Sequence, residues 1–413
     1  KATGWSVITK TEHEAYKLVV DMTSKKIIDE KEKEYKELSA NVEEAMRLAR
    51  EEEERELLLE KERVAAVLRA HEELHPPETA TCPICLEDFK VLSYDPTFVR
   101  FFSCCGNLAC ECGSGKCGSK CPLCRANLPD SDAQHLIQTR KQAEKGNRNA
   151  QRNLAGFYLN GQMGVRVNMQ EYIKWLKRAA EQKDAIAMHS LSQDYFHGTG
   201  LDKSEERAYA LLEESSDLGN PHSQKELARK YYQSGDNTKA VHYATLAVAG
   251  HETGLAELVL GTSFWSGPGV PKSLYRAKHY LELAVRQGED GFRGYYPLGS
   301  VLLELYAKDE AHDDILPKAL FWLRKSTGFA DAFIDGGDTP ARKCIKMIED
   351  ILMKRCHYCC KEANQKVALK NCAKCKSAWY CSKECQVSHW KAGHKSDCIK
   401  HDAPVEAVIS RLM

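Results

Sequence analysis

The sequence predicts a mainly α-helical chain, in which an α-solenoid of stacked helical hairpins follows a charged N-terminal helix and lies between two small cysteine-dense modules. Three observations predict it. Residues 29–74 run without Pro or Gly; seventeen of the eighteen cysteines fall in two clusters, at 82–124 and 356–398; and the stretch from Ala150 to Asp290 repeats itself at nearly constant spacing. In chain order these divide the protein into a helical segment (1–78), a first cysteine module (79–129), the repeat array with a helical cap (130–355), a second cysteine module (356–398) and a tail (399–413).

The first segment, "DEKEKEYKELSANVEEAMRLAREEEERELLLEKERVAAVLRAHEEL", is almost all helix former and stops at Pro76 and Pro77, which reads as one long charged helix. Its apolar positions, among them Leu38, Val42, Leu59, Val64 and Leu74, keep no heptad through the four consecutive glutamates. A solvated helix is therefore expected rather than a coiled-coil seam, and dimerisation stays open.

The first cysteine cluster has CxxC pairs at both ends, Cys82/Cys85 and Cys121/Cys124, with five cysteines between them. Two sulfurs at that spacing can face one ion from a tight turn, so the arrangement signals zinc. With "CPIC" at its start, "CCG" in its middle and "CPLCR" at its end, the module resembles an all-cysteine RING finger. The resemblance implies one zinc on Cys82, Cys85, Cys110 and Cys112, and another on Cys104, Cys105, Cys121 and Cys124. The middle pair departs from the family: one residue, not two, separates Cys110 from Cys112, and Cys117 is the alternative ligand. In RING ubiquitin ligases the residues matching Ile84 and Pro122 form a groove for a ubiquitin-conjugating enzyme. An arginine at the place of Arg125 braces the ubiquitin thioester, which is catalysis by orientation.

The array comes next. Units begin at Ala150, Ala185, Pro221 and Leu255, so the period is 35, 36 and 34 residues. Each unit reads as a helix, a glycine-bearing turn and a second helix, which signals an α-solenoid. The turns "NGQMGVRVN", "HGTGLDKS" and "SGPGVPKS" are longer than those of tetratricopeptide repeats, and with the Tyr172–Ala180 pattern they resemble Sel-one-like repeats. A degenerate fifth unit is expected at about 291–331 and an unpaired helix before Ala150. Leu154, Tyr158, Trp175 and Leu176 are expected to fill the seams, with Ala155, Ala179, Ala180 and Ala210 allowing close approach. The concave face of such an array commonly binds protein or peptide.

The second cluster supplies four ligand pairs: Cys356/Cys359, Cys372/Cys375, Cys381/Cys385 and His394/Cys398. Four pairs of sulfur and imidazole ligands suit two closed tetrahedral zinc sites, which hold folds and do not catalyse. So small a module depends on the metal, at roughly 10–16 kcal/mol per site. The stretch "YCSKECQVSHWKAGHKSDC" resembles the second half of a MYND zinc finger. That resemblance implies interleaved sites, Cys356, Cys359, Cys381 and Cys385 on one zinc and Cys372, Cys375, His394 and Cys398 on the other. Cys360, His357 and His389 are left as non-ligands. It also implies that Gln386 and Trp390 form a groove for extended proline-containing peptides.

Four structural Zn²⁺ ions are thus expected in all. Free thiolates point to a reducing compartment, cytoplasmic or nuclear. With 59 basic and 59 acidic side chains, charge gives no overall pull toward nucleic acid or membrane. Nucleic-acid binding by the lysines around the second cluster is not expected, since no arginine-aromatic platform accompanies them. No apolar run approaches the roughly 18 residues that span a bilayer. The functional expectation is a zinc-binding protein-interaction chain acting as a RING-type ubiquitin ligase, with a non-catalytic scaffold as the alternative.

Overall fold

The structure, a computed structural model, describes residues 10–82, 84–85, 87–90, 99–110, 119–250, 254–286, 292–308, 315–330, 340–354, 356–357, 368–395, 398–400 and 403–404. One long helix, α1 (Lys10–Leu74), opens the chain. Two antiparallel two-stranded ribbons follow: β1 (Thr79–Thr81) on β2 (Asp88–Lys90), and β3 (Val99–Phe101) on β4 (Leu108–Cys110). Helix α2 (Asp132–Glu144) then leads into the array.

The array consists of antiparallel helix pairs. These are α3 (Arg148–Asn160) with α4 (Met169–Glu181), α5 (Ala185–His197) with α6 (Glu205–Asp217), α7 (Pro221–Ser234) with α8 (Asn237–Ala249), and α9 (Leu255–Ser266) with α10 (Leu274–Val285). The expected fifth pair is present as α11 (Phe292–Lys308) and α12 (Ile315–Ala330), and the expected unpaired helix is α2, which packs on α3. Helix α13 (Pro340–Leu352) closes the array against α12.

Local chemistry sets the period. The first helices of successive pairs begin behind Asn147, Asp184 and Asn220, and each of these side chains accepts N–H bonds from the first turn. The second helices begin behind Asn168, Ser204, Asp236 and Ser273, which do the same. At Gly198 the chain leaves α5 with φ 73°, a left-handed cap that few residues other than glycine adopt cheaply. The third pair differs. Only Gly235 and Asp236 separate α7 from α8, where α3/α4, α5/α6 and α9/α10 are joined by longer glycine-bearing turns.

Two apolar cores run through the array, one from Ala143 to Ala208 and one from Ala228 to Leu352. Leu154, Ala155, Trp175, Leu176, Ala179 and Ala180 are buried as expected, and Tyr158 packs half-buried at the edge. Ala210 is a correction: it is exposed, and Ala208, two residues earlier and so on another face of α6, is the buried alanine of that helix.

The charged helix is the larger correction. Its C-terminal part is not a solvated rod, because it lies across the second helices α8 and α10. Glu60, only 3% exposed, accepts hydrogen bonds from Arg63 at 2.6 Å and from the Tyr280 hydroxyl at 2.7 Å, with the Arg276 guanidinium 3.5 Å away. Glu56 takes a hydrogen bond from Ser273 and pairs with Arg276, Glu53 pairs with Lys278, and Glu52 pairs with Lys308. Arg63 reaches Thr245 at 3.0 Å. Glu52 and Glu53, in the middle of the acidic run that breaks the heptad, thus face the array together with Glu56 and Glu60.

Among the described residues no helix is long and apolar enough to cross a membrane.

Candidate metal centres and interaction surfaces

Each module is built from a repeated turn. In the first, the N–H of Cys121 donates to the Ala126 carbonyl, and the N–H of Arg125 returns to the Cys121 carbonyl at 2.9 Å. In the second, the N–H of Cys372 donates to Ala378, and the N–H of Lys376 returns to Cys372 at 2.8 Å. Both turns place a non-glycine residue in left-handed backbone just after the second cysteine, Arg125 at φ 60° and Lys376 at φ 54°. This geometry aims N–H groups at the first sulfur. Burial raises the Cys121 thiol pKa, but the N–H groups of Cys124 and Leu123 outweigh it and hold the thiol below its ordinary range. Cys372 is lowered in the same way by Cys375 and Lys374 against its burial.

Among the described residues, three groups of ligand atoms converge. Cys104, Cys105, Cys121 and Cys124 lie together, with 3.6 Å between the sulfurs of Cys104 and Cys124 and 4.0 Å between those of Cys105 and Cys121. Cys372, Cys375, His394 and Cys398 form the second group, with Cys372 and Cys398 3.7 Å apart and His394 Nε2 3.7 Å from the Cys375 sulfur. Cys356, Cys381 and Cys385 form the third. Burial pushes Cys104, Cys105 and Cys375 up, and Cys398 up to about 12, aided by the neighbouring sulfurs. A divalent cation reverses that repulsion, because thiolates that oppose one another attract it jointly. The donor sets, sulfur with a single imidazole, fit zinc.

The remaining expected ligands are only partly in view. Cys82 is fully buried in the core of the first module, beside Phe102, Ala109 and Cys121, with Cys85 half-buried next to it. Cys110 lies on β4, but its side chain is outside the described residues, as are Cys112, Cys117, Cys359 and Cys360.

Helix α14 (Lys383–His389), capped by Ser382, runs into a π-helical turn, Trp390–His394. This carries Cys385 and His394 to separate ligand groups. His389 stacks on His394 at 4.9 Å and its Nδ1 lies 3.0 Å from the Tyr380 hydroxyl, so it supports a candidate ligand from behind. His357 accepts the Trp379 main-chain N–H on Nδ1 at 3.0 Å, and its main-chain N–H donates to the Trp379 carbonyl, a pairing that residue spacing does not reveal.

Of the expected interaction residues, Pro122 and Arg125 are exposed at the tip of the first module, and Ile84 is half-buried against its core. Gln386 and Trp390 are half-exposed on α14 and the π turn, with the Lys374 ammonium 5.8 Å from the indole centroid. Both modules are moored to the array. Gln138, Gln142 and Asn147 donate to or pair with Ser103, Cys104 and Gly106, while Trp379, Ile399 and Ala403 pack on the core that includes Ile348 and Leu352.

The MYND finger family model matches residues 354–398, and the Sel1 repeat model matches residues 148–184, 185–220 and 254–289. The α7/α8 pair, with its short turn, lies between the second and third of these matches. Ubiquitin carboxyl-terminal hydrolase 17 of Arabidopsis thaliana is 52% identical over 31 residues, 8% of this chain and 4% of the hydrolase. Hydrolase 15 of the same plant is 44% identical over 43 residues, 10% of this chain and 4% of the hydrolase. The chain thus spans a small fraction of these relatives' length, a stretch the size of one zinc finger. Among solved structures, a protective antigen of uropathogenic Escherichia coli with an SLR fold is 20% identical, over 65% of this chain and 50% of that one, with a TM-score of 0.43. A Sel1 repeat protein from Oxalobacter formigenes is also 20% identical, over 54% and 78%, with a TM-score of 0.36. The chain carries Sel1 repeats and a C-terminal MYND finger, both protein-interaction modules, together with an all-cysteine cluster suited to zinc.

Proposed function

We propose that this chain is a RING-type ubiquitin ligase that uses its repeats and MYND finger to hold a protein partner, with four structural zinc ions in the two cysteine modules. The observation that carries the reading is the convergence of Cys104, Cys105, Cys121 and Cys124 under a turn whose Pro122 and Arg125 face solvent. Zinc fixes that turn, Ile84 and Pro122 receive a ubiquitin-conjugating enzyme, and Arg125 orients the thioester without a covalent step on this chain. Since the module is hydrogen-bonded to α2, a conjugating enzyme seated there has a set orientation toward the array. Gln386 and Trp390 are the candidate groove for an extended proline-containing segment of the partner.

The scaffold reading is favoured by one observation: Ile84 packs against the module's own core. An autoubiquitination assay of the zinc-replete chain with a panel of conjugating enzymes separates the two. Chain formation that Ile84→Ala abolishes with zinc content intact supports the ligase; inertness with every conjugating enzyme leaves the scaffold.

A further inference from the structure

Helix α13, which closes the array, has two unlike faces. Ala341, Ile348 and Leu352 are buried in the array's larger core, and Glu349 turns back to pair with Arg324 of α12 at 2.7 Å. The opposite face carries a cavity of about 480 Å³ whose lining includes four cations, Arg342, Lys343, Lys346 and Lys354. Between them stand Met347 and Ile351, and the one carboxylate is Asp350. Met347 is 47% exposed, while Ile351 reaches down to the core, so the cavity has an apolar floor and a cationic rim. Helix chemistry alone does not call for these charges. A cation near a helix C-terminus complements the macrodipole, which accounts for Lys354, but Arg342 and Lys343 lie in the first turn, where a cation opposes it and no acidic residue offsets them. The face thus holds a local excess of positive charge that an anionic partner relieves.

We propose that this face of α13 docks an acidic segment of a partner protein, which seats an apolar side chain on Met347 and Ile351 and sets its carboxylates against the four cations. Charge complementarity draws such a segment in, and methionine adapts to aliphatic and aromatic anchors alike. Two other anionic partners fit less well. A helix that lies in a bilayer surface inserts its apolar face, and that face of α13 is already committed to the core. Single-stranded nucleic acid is gripped by aromatic platforms, and no aromatic side chain lines the cavity. The face contains no zinc ligand and no residue assigned to ubiquitin transfer, so binding there is read independently of ligase activity.

The test uses the full, zinc-replete chain and a fluorescently labelled peptide of glutamates and aspartates with two leucines among them. Anisotropy is expected to show saturable binding that weakens as salt rises. Lys346, Met347 and Lys354 are all exposed, so changing them leaves the core intact. The double variant Lys346→Glu/Lys354→Glu should bind the peptide at least about tenfold more weakly, and Met347→Ser about three- to fivefold more weakly, both with the wild-type thermal midpoint. Serine in place of the peptide's two leucines should weaken binding to wild type as much as Met347→Ser does. No saturable binding to wild type, or equal binding by wild type and the double variant, overturns the proposal. So does a preference of wild type for single-stranded RNA or anionic vesicles over the peptide.

Discussion

The side-chain amide of Gln142 donates a hydrogen bond to the main-chain oxygen of Cys104, 3.0 Å away, and so joins the array's first helix to a candidate zinc ligand. Beside it Asn147 donates to the Gly106 carbonyl at 2.8 Å. Asn147 also caps α3, accepting the Ala150 N–H with its oxygen while its nitrogen holds the module. One residue therefore starts the repeat and fixes what precedes it.

Gly106 should be intolerant of any side chain. Its φ is 79°, and a Cβ would come within 2.8 Å of the Asn147 amide and 3.3 Å of Gln142. Gly106→Ala is expected to cost about 1–2 kcal/mol for the backbone alone, and to loosen the mooring as well. Faster amide exchange in 99–110 and faster zinc loss to a chelator from the first module, with the second module unaffected, are the expected results.

Glu60 should be the anchor of α1. It is a buried carboxylate facing two guanidinium groups and a phenol. Removing one member of such a network costs about 3–5 kcal/mol, since it leaves charge buried without its partner. Glu60→Ala is expected to release the C-terminal part of α1, and limited proteolysis should then cut within residues 50–74 while the array survives. The exposed pair Glu52–Lys308 should matter far less, within about 1 kcal/mol.

Asp194 gives a pH signature. It accepts the Tyr172 hydroxyl at 2.8 Å, and burial pushes its pKa up from 3.8 to about 6. The folded carboxyl holds its proton more tightly than the unfolded one, so its contribution favours folding below about pH 4 and is lost as pH rises through 6. Asn keeps an acceptor for the tyrosine without the charge. Asp194→Asn should therefore stabilise the array at pH 7.5, on the order of 2 kcal/mol, and have little effect at pH 4. Thermal unfolding at the two pH values checks this.

Trp390 separates a reading surface from a structural one. Trp390→Ala in the full chain is expected to abolish calorimetric binding of proline-leucine peptides, with zinc content unchanged. Loss of zinc together with binding would make the indole part of the finger's core, which it touches.

The period, the helix pairs and the cysteine pairing were legible because each is written locally: a cap every turn of the repeat, and two sulfurs on one knuckle. The groups Cys104/Cys105/Cys121/Cys124 and Cys372/Cys375/His394/Cys398 come together as the two resemblances imply. Docking of α1 was not legible, since Glu60 meets Tyr280 across 220 residues and its charge signals solvent until the partner is known. Ala210 failed for a related reason, because alanine spacing alone does not say which of two faces a helix buries.

An array in which each hairpin touches only its neighbours melts piecemeal, from its ends inward. Here α1 touches α8 through Arg63, α10 through Glu56 and α11 through Glu52. It acts as a splint over non-adjacent repeats, so strain at one hairpin is shared by the others. With the splint in place, residues 237–308 should lose structure as a single cooperative block; with it lifted, melting should run piecemeal from the ends of the array.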